Sequence, residues 1–205
     1  VNHTQYDVEN FDNSTIPPES YCAYGALVLG KGVCEAYSEA MKLIMDKLGI
    51  ECTIVTGESQ DQNHAWNIIK IDNEFYQLDV TWNDPVIDDG SNTIRYDYFN
   101  ITDSEMARDH SWETDSYPAC TSTKHNYFYY NSLVVSSYDE FLNSVKNALA
   151  TGLKKLTLKV ENYDENTYDI ISTVNKAARQ TPGVSFSKYY YSSNPTTGII
   201  EIEFE

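Results

Sequence analysis

The sequence predicts an α+β protein built in two units, and three patterns predict it. A helical stretch from Cys34 to Leu48 is followed by strand-like runs over 51–57, 64–71 and 74–82. A loop-rich stretch over 83–125 then breaks the regular pattern, and a fresh alternation of strands and helices fills 127–204. We therefore expect a first unit over residues 1–122 and a small C-terminal α+β unit over 123–205.

Composition excludes several function classes. Thirty-one acidic against 14 basic residues give a formal charge of −17, which argues against nucleic acid and anionic membrane surfaces as partners. No apolar run reaches the ~18 residues of a membrane span, so no membrane insertion is expected from this chain. The opening Val1-Asn2-His3 lacks a Met and reads as a mature or trimmed piece; with the acidic balance, this sets the expectation of a secreted or cell-surface protein. Cys22, Cys34, Cys52 and Cys120 are too scattered for a disulfide scaffold, though a Cys22–Cys120 bridge would be open to an oxidising compartment, and no CxxC is present. Asn2, Asn13 and Asn100 begin glycosylation patterns that would matter only in a eukaryotic secretory protein.

Each element has a local reason. Residues 1–24, polar and carrying Pro17-Pro18, read as an irregular lead-in, and 25–32 as a loop bounded by glycines. Tyr37, Ala40, Met41, Ile44 and Leu48 recur at helical spacing, with Gly49 as the cap. The run 51–57 reads as a strand with Cys52 as a buried small hydrophobe, 59–63 as a polar loop, and 64–82 as a hairpin around Asp72-Asn73. The run 95–99 adds a further strand. Beyond it, 127–135 reads as a strand, and Ser137-x-x-Glu140 as a capping box before a helix on Tyr138, Phe141, Leu142, Val145 and Leu149. Leu156, Leu158 and Val160 alternate as a strand, 167–179 forms a second helix, and 184–191 with 199–204 make a last hairpin. That order is compatible with a ferredoxin-like α+β unit.

Three residues carry the chemistry. Cys34 opens the first helix, His64 sits in Asn63-His64-Ala65-Trp66-Asn67, and Asp79 sits in Tyr76-Gln77-Leu78-Asp79-Val80. A thiol, an imidazole and a carboxylate to orient that imidazole make a thiol-nucleophile triad. A two-residue turn at Asp72-Asn73 makes opposed residue numbers sum to 145, so His64 and Asp79 become diagonal neighbours on one face. A slip by one residue would separate them. The amides at a helix start favour a thiolate at Cys34, and its own N–H is a candidate oxyanion donor. Tyr24 is the candidate side-chain oxyanion donor. Trp66 and Trp82 are sheet residues and candidates for lining a substrate groove. His110, Cys120 and His125 fit no zinc spacing and read as loop residues. Asp84, Asp88, Asp89 and Asn92 lack the oxygen spacing of a calcium loop, so no metal site is assigned.

Taken together, Gly32-Val33-Cys34-Glu35-Ala36-Tyr37, Asn63-His64-Ala65-Trp66-Asn67 and Leu78-Asp79-Val80-Thr81-Trp82-Asn83-Asp84-Pro85 resemble the transglutaminase-like family of papain-type thiol proteins. The likeness covers about residues 20–120 and is closest to the family's bacterial, often secreted or surface-anchored branch. It implies an α+β core with the nucleophile helix packed on an antiparallel sheet. Residue by residue it implies Cys34 as nucleophile, His64 as general base and then acid, and Asp79 as the group that orients His64. The implied activity is acyl transfer on a peptide or protein amide, as a cysteine peptidase, deamidase or transglutaminase-type enzyme working through a thioester. Cell-wall peptide is among the candidate substrates, and no cofactor is required. The alternative is a non-catalytic cell-surface binding module on the same fold. Ala36 departs from the Gly of many relatives, and relatives usually carry a helical stretch before the position of Val1. The tail from about 127 resembles no family named here.

Overall fold

The computed structural model describes residues 3–86, 94–184 and 186–205, so Asp88, Asp89 and Asn92 of the acidic turn and Asn2 lie outside the described residues. The chain divides into Val1–Tyr127 and Phe128–Glu205. The stretch 123–127 stays with the first unit because two side-chain amides anchor it: Asn100 donates to the His125 carbonyl at 3.0 Å, and Asn126 to the Phe99 carbonyl at 3.1 Å.

The first unit opens with strand β1 (Gln5–Tyr6) and the short helix α1 (Val8–Asp12), where an irregular lead-in was expected. Asp7 holds this segment down. Its buried carboxylate accepts from Lys31 Nζ at 2.7 Å and from Ser20 Oγ at 2.7 Å, and its N–H reaches the Gly32 carbonyl. β1 pairs in parallel with β2 (Lys31–Gly32), which leads directly into helix α2 (Cys34–Leu48). Gly32 is required at this junction, because a Cβ there would lie 2.5 Å from that of Ala36. α2 ends on Gly49 at φ 73, the left-handed cap.

α2 buries Cys34, Ala36, Tyr37, Ser38 and Ala40, with Met41 and Met45 packed below Tyr37 on the sheet. Ile44 and Leu48, expected on the apolar face, are exposed because Met41 and Met45 take the i, i+4 positions toward the sheet.

The sheet is antiparallel. β3 (Cys52–Ser59), β4 (Gln62–Ile71), β5 (Glu74–Leu78), β6 (Phe99–Ile101) and β7 (His110–Trp112) lie in the order β6-β5-β4-β3-β7. The turn at Asp72 and Asn73 has φ of 52 and 64, the left-handed pair of a tight hairpin turn. β4 and β5 pair Asn67 with Leu78 and Ile71 with Glu74, which is the register read from the sequence. Asn67, Ile69 and Ile71 of β4 and Tyr76 and Leu78 of β5 meet α2. Val55, Trp66 and Ile68 meet the layer built by Tyr98, Ile101, Met106 and Cys120. Helix α3 (Asp103–Met106) begins on a capping box from Thr102 and Glu105.

The second unit begins within helix α4 (Tyr127–Tyr130), where a strand was expected; only Val134–Val135 of that run is extended, as β8. Helix α5 (Tyr138–Thr151) starts on Ser137, whose hydroxyl accepts from the Glu140 N–H. Strand β9 (Lys155–Val160), helix α6 (Ile170–Gln180) and strands β10 (Tyr189–Asn194) and β11 (Ile199–Phe204) follow. The sheet order is β10-β11-β9-β8, with β8 and β9 parallel and the other neighbours antiparallel. Phe141, Val145, Val174, Ala177, Leu158 and Ile202 make its core. The unit is α+β, but its β-α-β-α-β-β run and its parallel pair depart from the β-α-β-β-α-β order of a ferredoxin-like unit.

Candidate active site

The hairpin delivers two of the three expected residues to one point. His64 Nε2 lies 2.6 Å from Asp79 Oδ2. Asp79 is wholly buried just past the end of β5, and its Oδ1 accepts from the Trp82 N–H at 3.0 Å. Burial alone would raise its carboxyl, but hydrogen bonds from His110 and His64 outweigh burial and hold it down at about 2.

Cys34 comes to the same strand by a different route. It is buried as the first residue of α2, near enough to the Ala65 amide, on the residue that follows His64, for that amide to favour its thiolate. Its thiol does not hydrogen bond to His64; it donates to Glu35 Oε2 at 3.0 Å. Burial, then the Glu35 bond and charge, push the thiol up to about 12. The thiolate favoured by the helix start is therefore overridden here, since burial and an adjacent carboxylate act together against the helix-end dipole.

A second imidazole completes the cluster. His110, in β7, places Nε2 3.2 Å from Asp79 Oδ2 and Nδ1 2.6 Å from Asp109 Oδ1, with its side chain wholly buried. Asp109 Oδ2 in turn accepts from the Tyr98 hydroxyl. Burial would lower the His110 imidazole, but its bonds to Asp109 and Asp79 raise it.

Residues 1–80 match the family model described as transglutaminase-like superfamily. The chain contains a transglutaminase-like domain. Comparison with curated proteins gave no match. Among solved structures, one described as the crystal structure of a TGase is similar at 20% identity and TM-score 0.35, over 38% of this chain and 22% of that one. The matched stretch of the transglutaminase-like domain takes in Cys34, His64 and Asp79 and stops short of His110.

The other candidates in this domain fall in different places. Trp66 is only 1% exposed and donates its indole N–H to Gln77 Oε1 at 2.7 Å, so it forms the floor of the site and cannot line a groove. Trp82 is half-buried, its ring 4.9 Å from that of His110 and 6.2 Å from that of His64, and so covers the imidazole pair. Tyr24 is 53% exposed at the start of a π-helical turn, and among the described residues no hydrogen bond ties it to Cys34. Tyr6 is the tyrosine beside the site: burial first, then the charges of Cys34, Glu35 and Asp79, raise its hydroxyl.

His110 was the residue missed. It lies 31 positions after Asp79 on a three-residue strand, and only its neighbour Asp109 marks it in the sequence. The four cysteines are free, Cys22 and Cys120 included. Asn100 is 2% exposed and its amide donates to the His125 carbonyl, so the folded chain leaves no room for a glycan there.

His64, Asp79 and His110 also present ligand atoms within 4.8 Å of one another. The fit to a metal is poor. Nitrogen and oxygen ligands at ~2.1 Å from one tetrahedral ion stand roughly 3.4 Å apart, whereas His64 Nε2 and Asp79 Oδ2 are 2.6 Å apart. The spacing is that of a hydrogen bond.

Proposed function

We propose that the first unit is a thiol-dependent acyl-transfer enzyme acting on peptide or protein amides. Cys34 is its nucleophile, His64 its general base and acid, and Asp79 its orienting carboxylate. The observation that carries this reading is the pairing of His64 Nε2 with buried Asp79 at 2.6 Å, one residue before the Ala65 amide that favours a thiolate at Cys34. Asp79 fixes the imidazole with Nδ1 as the nitrogen that can take the thiol proton.

In this mechanism the exposed Glu35 swings away and His64 accepts the proton of Cys34. The sulfur then attacks the amide carbonyl. As the tetrahedral intermediate collapses, the C–N bond breaks, and His64 gives its proton to the leaving amine. The thioester is released by water or by a second amine, whose proton returns through His64 to the sulfur. No cofactor enters these steps. Peptide and protein amides, cell-wall peptide among them, are the substrate class.

The test is the alkylation rate of Cys34 against pH, followed by mass spectrometry, in the wild type and His64→Ala. It is paired with ammonia release and amine incorporation on glutamine-containing peptides. The reading expects at least tenfold slower alkylation in His64→Ala and loss of all turnover in Cys34→Ala. A His64→Ala variant that alkylates like the wild type would sink it.

The binding-module reading draws on one observation, the thiol held protonated by burial and Glu35. It predicts a Cys34 that stays unreactive when Glu35 is removed.

A further inference from the structure

We propose that His110 is a positioning residue of this site: held as an imidazolium between Asp79 and Asp109, it fixes the Asp79 carboxylate for His64 and offsets its charge. The proposal rests on the Cys34–His64–Asp79 reading and adds to it a fourth residue outside the matched stretch.

The geometry carries it. Both ring nitrogens of His110 face carboxylate oxygens, Asp79 Oδ2 at 3.2 Å and Asp109 Oδ1 at 2.6 Å. An ionised carboxylate only accepts, and a neutral imidazole has a single N–H. A neutral ring would therefore set a nitrogen lone pair against an oxygen lone pair inside a fully buried side chain. The doubly protonated ring satisfies both contacts.

The charges around the ring follow. The titratable groups facing it are Asp79, Asp109, His64, with ring centroids 5.4 Å apart, and Tyr98, whose hydroxyl sits on Asp109. Trp66 and Trp82 fill the remaining sides without charge. Two carboxylates and one imidazolium leave a single negative charge in this pocket while His64 is neutral. When His64 takes the proton of Cys34 the total does not change: the imidazoles then balance the two carboxylates, and the negative charge resides on the sulfur. The charge of Asp79 raises the Cys34 thiol, and an imidazolium bonded to that carboxylate offsets its field at the sulfur. Without His110, Asp79 and Asp109 would leave two uncompensated charges, and the negative field at Cys34 would grow.

Position is fixed as well. Asp79 Oδ1 is occupied by the Trp82 N–H and Oδ2 by the two imidazoles, so the carboxylate cannot rotate without breaking three bonds. β7 is locked to β3 by the pair Ser59–His110 and by the Ser59 hydroxyl on the Asp109 carbonyl at 2.9 Å.

The experiment has two parts on the full chain. Long-range nitrogen–proton NMR of the wild type at pH 7.5 reads the protonation of His110 directly. Two protonated nitrogens are expected, and a neutral tautomer overturns the imidazolium. The alkylation profile of Cys34 is then measured in His110→Phe and His110→Gln, with folding checked by near-UV circular dichroism. His110→Phe is expected to move the half-maximal pH upward by about one unit, a tenfold slower rate on the acid limb. His110→Gln, which keeps an N–H toward Asp79, is expected to restore part of that loss. Folded variants with the wild-type profile would make His110 a core residue only. His64→Ala, measured alongside, separates the two ideas: if it too matches the wild type, the Cys34–His64 reading itself fails.

Discussion

Glu35 is the side chain on which the reactivity of Cys34 turns. It is exposed on the first turn of α2, and its carboxylate accepts the thiol proton at 3.0 Å. Both its bond and its charge raise the thiol, so removing the charge lowers it. Glu35→Gln is expected to bring the half-maximal pH of alkylation down by a unit or more, about tenfold faster labelling of Cys34 at pH 7 for each unit. Labelling that is equally slow in Glu35→Gln would leave burial as the sole brake on the thiol. At this scale the sequence was partly legible. Cys34, His64 and Asp79 announce themselves by chemistry and spacing. The bond from Cys34 to its own neighbour is hidden, because adjacent helix residues point apart in a simple wheel and meet here only through a bent side chain.

Among the elements, β7 is the one that decides whether the second imidazole reaches Asp79, and Gly57 decides whether β7 can sit where it does. A Cβ at Gly57 would lie 2.1 Å from the Ser111 carbonyl oxygen and 2.9 Å from the Trp66 ring. Gly57→Ala is expected to push β7 off β3 and cost about 1–3 kcal/mol, read as a lower denaturation midpoint, with a Cys34 alkylation profile shifted like that of His110→Phe. The β4–β5 register was readable to the residue because turn chemistry and alternation are local, but β5 ends at Leu78, where a strand to Trp82 was expected, because Asp79 turns the chain by accepting from the Trp82 N–H. The β3–β7 pairing was not, since it joins Ser59 to His110 across a loop-rich stretch with a strand of three residues. The aromatic run Tyr127–Tyr130 suits a strand by propensity, but tertiary packing of Phe128 makes it a helical turn.

Across the whole molecule, charge sets the conditions under which the fold is most stable. A formal charge of −17 repels itself, so added salt is expected to raise the melting temperature by screening. Two buried groups shape the pH dependence in opposite directions. The Asp79 carboxyl, held at about 2, contributes fully above its ordinary value near 4, and its contribution is lost as pH falls toward 2. That loss is on the order of 2 kcal/mol. The raised His110 imidazole contributes fully below its ordinary value near 6.5, and its contribution is lost as pH rises through the folded value. Melting temperatures against pH should therefore form a plateau between about pH 4 and 6.5, and His110→Gln should remove the alkaline fall and shrink the acid one, since His110 helps to hold Asp79 down. The three tryptophans of the chain bring one more consequence. Trp66 and Trp82 flank both imidazoles, Trp112 stands 5.8 Å from Trp66, and the second unit has none. Protonated imidazole quenches indole emission, so selectively excited tryptophan fluorescence is a lamp hung over a single room, its brightness following the protons on the imidazoles beside Trp66 and Trp82.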